Sequence, residues 1–138
     1  MNGYALVAKT LKALAHPIRL QILKVLQEEG EACVCHMEAR INRRQAYISQ
    51  HLAKLRQLGL VTDRREGLNV FYALSIREID PLLEQARRLA AEAAGFDESE
   101  LPFDEIRKVP PEQCDCPKCE QKLSLVVDQL QADEPISS

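Results

Sequence analysis

The chain has no tryptophan and only three tyrosines and three phenylalanines. Any core it builds must therefore rest on Leu, Ile, Val and Ala. No apolar run approaches the roughly 20 residues that span a bilayer. The opening MNGYALVAKTLKALAH never forms the continuous apolar block of a signal peptide. A cytoplasmic protein with no membrane partner is expected. There is no internal repeat. An even complement of cysteines is also missing. Five cysteines cannot be consumed by internal disulfides, and in a cytosolic setting their clustering favours metal or redox chemistry over structural crosslinks. With 138 residues, 46% of them hydrophobic, the chain is globular and has room for one core, scarcely two.

The net charge of −3 hides two opposite halves. Residues 1–77 carry twelve Lys/Arg against six Asp/Glu, whereas residues 78–138 carry six against fifteen. A cationic first half suits phosphate binding whose strength falls steeply with salt.

The stretch that organises the chain is QAYISQHLAKLRQLGLVTDRREGLNVFYAL, residues 45–74. Ile48, Leu52, Leu55 and Leu58 recur at helical spacing and form one apolar stripe. Tyr47, Gln50, His51 and Lys54 fall on other faces with hydrogen-bonding or cationic groups. Gly59 supplies a left-handed stop. Leu60–Arg65 and Asn69–Leu74 then read as two strands joined through Glu66-Gly67-Leu68, a hairpin with Arg64 and Arg65 beside its tip. A polar-faced helix followed by a basic hairpin is the layout of a winged helix-turn-helix. The helix enters the major groove while the hairpin straddles a phosphate backbone.

Upstream, helices are expected over 4–15, with Leu6, Val7, Leu11 and Leu14 on one side, and from Ile18 to about Gln27, with Pro17 at its first turn. A short third helix opens at Cys33-Val34-Cys35-His36-Met37 and reaches about Ile41. Asn42-Arg43-Arg44 forms the turn into the reading helix. Downstream, Asp80-Pro81 reads as an N-cap and first helical residue. That helix runs to about Ala94, with a wide face of Leu82, Leu83, Ala86, Leu89, Ala90 and Ala93. Pairing with the first helix of a second copy would give a homodimer matched to a palindromic operator. The fold class is thus mainly α (α+β), dimeric, with a two-stranded wing and a C-terminal helical extension. Residues 1–95 form the DNA-binding and dimerisation domain. Residues 96–138 hold an acidic connector with a turn of helix near Phe103–Val109, a cysteine cluster, and a last helix near Pro117–Leu130.

The chemistry concentrates in sulfur. On a regular helix, Cys33 and Cys35 would point about 200° apart, so both reach one ion only where the backbone is just entering the helix. There the helix dipole also favours thiolate. Cys114-Asp115-Cys116-Pro117-Lys118-Cys119 carries the Cys-Pro-x-Cys spacing of zinc knuckles, three sulfurs within six residues of a polar connector. Soft ligands select zinc, cadmium, lead and trivalent arsenic or antimony over magnesium or calcium. His36 adjoins the first pair and is either a further ligand or a solvent-exposed histidine. His51 is placed for a phosphate or base-edge contact, and His16 for the junction between helices. Arg43, Arg44, Arg64 and Arg65 are placed for phosphates. Gln45 and Asn69 complete the DNA-facing set with Tyr47, Ser49, Gln50, His51 and Lys54.

Three stretches, LKALAHPIRLQIL, EACVCHMEARI and AYISQHLAKLRQLGLVTDRREGLNVFYAL, resemble the ArsR/SmtB family of metal- and metalloid-responsive repressors, over roughly residues 5–94. Cys33-Val34-Cys35 matches the family's cysteine pair, with His36 where an acidic residue is usual. Ser49, Gln50, His51 and Leu52 match the S-x-H-L of its recognition helix, and Arg64 and Arg65 match its wing. The resemblance implies a dimeric repressor, not an enzyme, that binds double-stranded DNA when ion-free and is released by a soft ion: As(III), Cd(II), Pb(II) or Zn(II). Residues 78–95 lack histidine, so the family's alternative zinc site on that helix is not expected. Two other readings keep the fold: a thiol redox or persulfide sensor, and a constitutive DNA-binding protein with structural zinc. A thiol oxidoreductase built on Cys116-Pro117-Lys118-Cys119 lacks the alternating strands and helices of a thioredoxin-like sheet.

Overall fold

Turn-forming residues set the boundaries of nearly every element. The computed structural model describes residues 2–101, 103 and 106–108. Helix α1 spans Gly3–Leu14, capped by the Asn2 side chain, which accepts from the Tyr4 N–H. His16 caps α2 (Pro17–Glu29) in the same manner through its ring nitrogen, with Pro17 at the first helical position where no N–H is required. Strand β1 (Glu31–Cys33) leads directly into α3 (Val34–Ile41), whose N-cap is Cys33. Asn42 ends α3 in the left-handed region at φ 60°. The reading helix α4 covers Gln45–Gln57. Gly59, at φ 74°, turns the chain out of it, and the Leu60 N–H reaches back to the Leu55 carbonyl.

Strands β2 (Val61–Glu66) and β3 (Asn69–Leu74) form the wing. Glu66 pairs with Asn69, so only Gly67 and Leu68 make the turn; Gly67 has the positive φ that such tight turns require. The wing is wider than its sequence suggests, because β1 adds antiparallel to β3 and gives a three-stranded sheet in the order β1-β3-β2.

Helix α5 spans Ile79–Ala94. It starts before the expected Asp80 cap: buried Ile79 is already helical, and Asp80 lies in the first turn, where its charge suits the helix dipole. A short 3-10 turn follows at Glu98–Glu100. Residues 106–108, within the expected turn of helix, are not helical. The remainder of that turn, the cysteine trio and the last expected helix lie outside the described residues.

Helix α2 is the centre of the core. Ile22, Leu23, Val25 and Leu26 are buried against Met37 and Ile41 from α3, Ile48, Leu52 and Leu55 from α4, and Leu60 and Val61 at the start of the wing. Fully burying each large aliphatic side chain is worth about 1.5–3 kcal/mol, so the stripe Ile48, Leu52, Leu55 locks α4 against α2. The outward face of α4 is thereby fixed in direction. By contrast, Tyr4, Leu6, Val7 and Leu11 of α1 and Leu82 and Leu89 of α5 stay exposed in the single chain. No helix among the described residues is long and apolar enough to cross a membrane.

Candidate nucleic-acid interface and thiol pair

Burial of one side of α4 leaves Tyr47, Gln50, Lys54 and Gln57 along the other, at i, i+3, i+7 and i+10. Arg43, Arg44 and Gln45 are exposed at its entrance, and Ser49 is half-buried on its flank. No side chain caps the helix N-terminus, so the first-turn N–H groups remain available to an anion.

His51 points the other way. It is 8% exposed, and its Nδ1 accepts from Arg19 Nε at 3.0 Å. The His16 ring lies 4.3 Å from it, and the Tyr47 ring meets it edge-on at 4.7 Å. Desolvation, then repulsion from His16 and Arg19, holds its pKa below the ordinary 6.5. The neutral ring orients α4 and Tyr47 rather than offering an edge to a groove. Arg19, one turn after His16-Pro17, anchors this cluster by also donating to the Ala13 carbonyl at 2.8 Å. Arg19 lies within the LKALAHPIRLQIL stretch, but its distance from His51 in the chain hides this contact.

The two wing arginines differ. Arg64 is engaged by Glu31 and Glu66 and lies over the Phe71 ring at 4.8 Å. Arg65 is exposed and has no ion pair among the described residues. Asn69 is half-buried at the hairpin end, while Leu68 at the tip is fully exposed.

At the far side of the sheet, Cys33 and Cys35 meet. Their Cα atoms are 5.4 Å apart and their sulfurs are joined in a disulfide. Cys33 is buried and Cys35 exposed. Cys33 Sγ also accepts from the His36 N–H at 3.4 Å, as an N-cap oxygen would. The entry of α3 thus brings the two sulfurs together as the helix-start argument requires. Reduced, they suit a soft ion as two of its donors. The buried His36 ring turns to Glu29, with Nε2 3.4 Å from the carboxylate. No group of three or more His, Cys, Asp or Glu suited to a metal occurs among the described residues.

The pair is wired to the reading head in two ways. Helix α3 packs directly on α4. In the sheet, Cys33 lies opposite Phe71, which lies opposite Arg64 of the wing. Glu31, two residues before Cys33, grips the same Arg64.

A second cluster holds the C-terminal end of α3. Arg40 is 4% exposed. Its guanidinium reaches Glu28 at 2.7 Å and Glu29 at 3.3 Å, and its Nε donates to the Arg107 carbonyl at 3.0 Å. The Arg107 N–H returns a bond to the Arg40 carbonyl at 2.8 Å, and its side chain donates to the Ala39 carbonyl at 3.1 Å. The connector is thereby strapped across α3.

Comparison with known proteins agrees with this geometry. Residues 16–63 match the family described as bacterial regulatory protein, arsR family. The transcriptional activator HlyU of Vibrio cholerae is 43% identical over 83 residues, covering 60% of this chain and 76% of HlyU. The CadC homolog of Staphylococcus aureus, a cadmium resistance transcriptional regulatory protein, is 41% identical over 80 residues, 58% of this chain and 66% of the homolog. The crystal structure of Rv0081 from Mycobacterium tuberculosis superposes with a TM-score of 0.61 at 33% identity, covering 67% of this chain and 92% of that one. Placed on a winged helix with a polar reading face, these matches identify the chain as a member of the ArsR family of DNA-binding transcriptional regulators, and not an enzyme.

Proposed function

We propose that the chain is a homodimeric, cytoplasmic repressor that leaves its operator when Cys33 and Cys35 take a soft metal or metalloid ion. The observation that carries this reading is the meeting of the two sulfurs at the start of α3, one strand away from the wing and one helix away from α4. Residues 1–95 would form the reading and pairing domain, with the exposed apolar faces of α1 and α5 covered by a second copy. Two α4 helices related by a two-fold axis suit a palindromic site. Gln45, Tyr47, Ser49, Gln50, Lys54 and Asn69 would face the bases and sugars. Arg43, Arg44 and Arg65 would face phosphates, and Arg64, once freed from its two carboxylates, would join them.

Residues 96–138 would supply the remaining sulfurs. Cys114 lies seven positions beyond Arg107, a stretch that spans at most about 24 Å. Helix α3, eight residues long, measures about 12 Å. From the strap at Arg40, Cys114, Cys116 or Cys119 can therefore reach Cys33 and Cys35 of the same subunit. As(III), Cd(II), Pb(II) and Zn(II) all fit a thiolate donor set. The energetic demand is modest, since coupling of about 1–3 kcal/mol changes operator affinity 5- to 150-fold.

The disulfide favours a second reading, in which the same pair senses oxidants: two thiols closing to a disulfide would reshape the start of α3 without an ion. Operator binding by reduced, metal-free protein, titrated with arsenite, cadmium, lead and zinc, separates the two. Release by one ion at fixed stoichiometry, lost in the Cys33→Ser, Cys35→Ser variant, is the expected result. Ion-induced release that survives in that variant would refute the site. Release by oxidant in the presence of chelator would transfer it to redox sensing.

A further inference from the structure

Between α1 and the C-terminal half of α4 lies an open cleft of about 380 Å³. Lys9, Lys12, Arg19 and Lys54 line it, with no acidic residue among the lining side chains. Among the described residues, Lys9, Lys12 and Lys54 have no ion pair, whereas Lys24, Arg40, Arg56, Arg64 and Arg88 do. Arg19 is held in place by the Ala13 carbonyl and His51. Four like charges without counter-charge repel one another and raise the local potential, an arrangement matched to an external anion.

The cleft is continuous with the reading face. Lys54 and Gln57 line it, and they extend the exposed row begun by Tyr47 and Gln50. Lys54 lies about 6 Å beyond Gln50 along the helix axis. An anion in the cleft would therefore adjoin whatever α4 reads. We propose that the cleft grips the phosphodiester backbone of the operator beside α4, making α1 and the first turn of α2 part of the DNA-binding surface. The proposal rests on the DNA-reading role of α4 and adds contacts that carry register and affinity but no base preference.

The test compares the wild-type chain with the Lys9→Gln, Lys12→Gln double variant by fluorescence anisotropy. One duplex carries the chain's own promoter region and the other is scrambled, each titrated between about 50 and 200 mM salt. Both substitutions lie on an exposed helical face, and matching thermal midpoints confirm folding. The variant should bind both duplexes more weakly by a similar factor. Its log affinity should fall less steeply with log salt, by about 0.9 for each phosphate contact removed, so by about two to four for a dimer. Gln50→Ala should instead reduce the preference for the promoter duplex and keep the slope. An unchanged slope and affinity in the double variant, with wild type binding normally, overturns the proposal and leaves the reading of α4 intact. Failure of wild type to bind either duplex overturns both. If inorganic pyrophosphate stabilises wild type but not the variant, and the DNA slopes coincide, the cleft serves small anions and the proposal falls.

Discussion

Replacing Arg40 with methionine should loosen the chain far more than a surface arginine would. Methionine keeps an unbranched apolar stem and removes the guanidinium. Three contacts then disappear: to Glu28 at 2.7 Å, to Glu29 at 3.3 Å, and to the Arg107 carbonyl at 3.0 Å. Removing one partner of a fully buried pair costs about 3–5 kcal/mol. Here Glu28 and Glu29 have side chains 43% and 22% exposed, so water recovers much of that loss, and about 2 kcal/mol is the expected cost. For a folded region near 100 residues, each kcal/mol lowers the melting temperature by about 4–8 °C. Thermal denaturation followed by circular dichroism, at one fixed protein concentration because dimers melt in a concentration-dependent way, should show a drop of about 8–16 °C. The connector should also be cut faster by trypsin, since its strap to α3 is gone. Glu28→Gln should cost well under half as much. If Arg40→Met melts within about 2 °C of wild type, or if Glu28→Gln costs as much, the buried guanidinium does not hold this end of α3.

Two further outcomes are expected. His51 has its pKa depressed by burial and by His16 and Arg19, so its neutral form favours the fold. That stability is complete above about pH 6.5 and is lost as the pH falls through the depressed value. Urea midpoints should decrease between pH 7.5 and 5, and His51→Gln should flatten that trend; a midpoint that rises on acidification would contradict the burial argument. Arg65→Ala should weaken binding to any duplex and lower the salt slope by about 0.9 per protomer, while leaving the melting temperature unchanged. An Arg65→Ala protein with wild-type salt dependence would remove the wing from the phosphate contacts.

Much of the fold is legible because its signals are local. The spacing of Ile48, Leu52 and Leu55, the Pro17 start and the Gly67 turn each require only a few neighbouring residues. The three-residue strand β1 does not have that property. Glu31-Ala32-Cys33 is too short to show alternation and exists because β3 offers it an open edge. His51 was readable in principle: Ile48, His51, Leu52 and Leu55 stand at i, i+3, i+4 and i+7, so the histidine lies on the buried stripe. Its polarity draws attention to DNA, and its partners His16 and Arg19 are more than thirty residues away in sequence. Arg40 is harder still. A charged residue between apolar positions reads as solvated until the fold brings Glu28, Glu29 and the Arg107 carbonyl around it. The pairing of Cys33 with Cys35 follows from their place at a helix entrance, whereas the turn of His36 toward Glu29 depends on the end of α2.

Strand β1 belongs to the periphery of the sheet, with only three residues paired to one neighbour. Edge segments of that size open locally at a fraction of the free energy of global unfolding. Cys33 therefore hangs on a part that can detach, while Cys35 rides on α3, which is packed against α2 and α4. On the proposed function, substitutions at Glu31 would reset the threshold for letting go of DNA, whereas substitutions in α2 or at buried Ala32 would reset heat resistance. Selection can adjust sensitivity and durability in this protein through different residues.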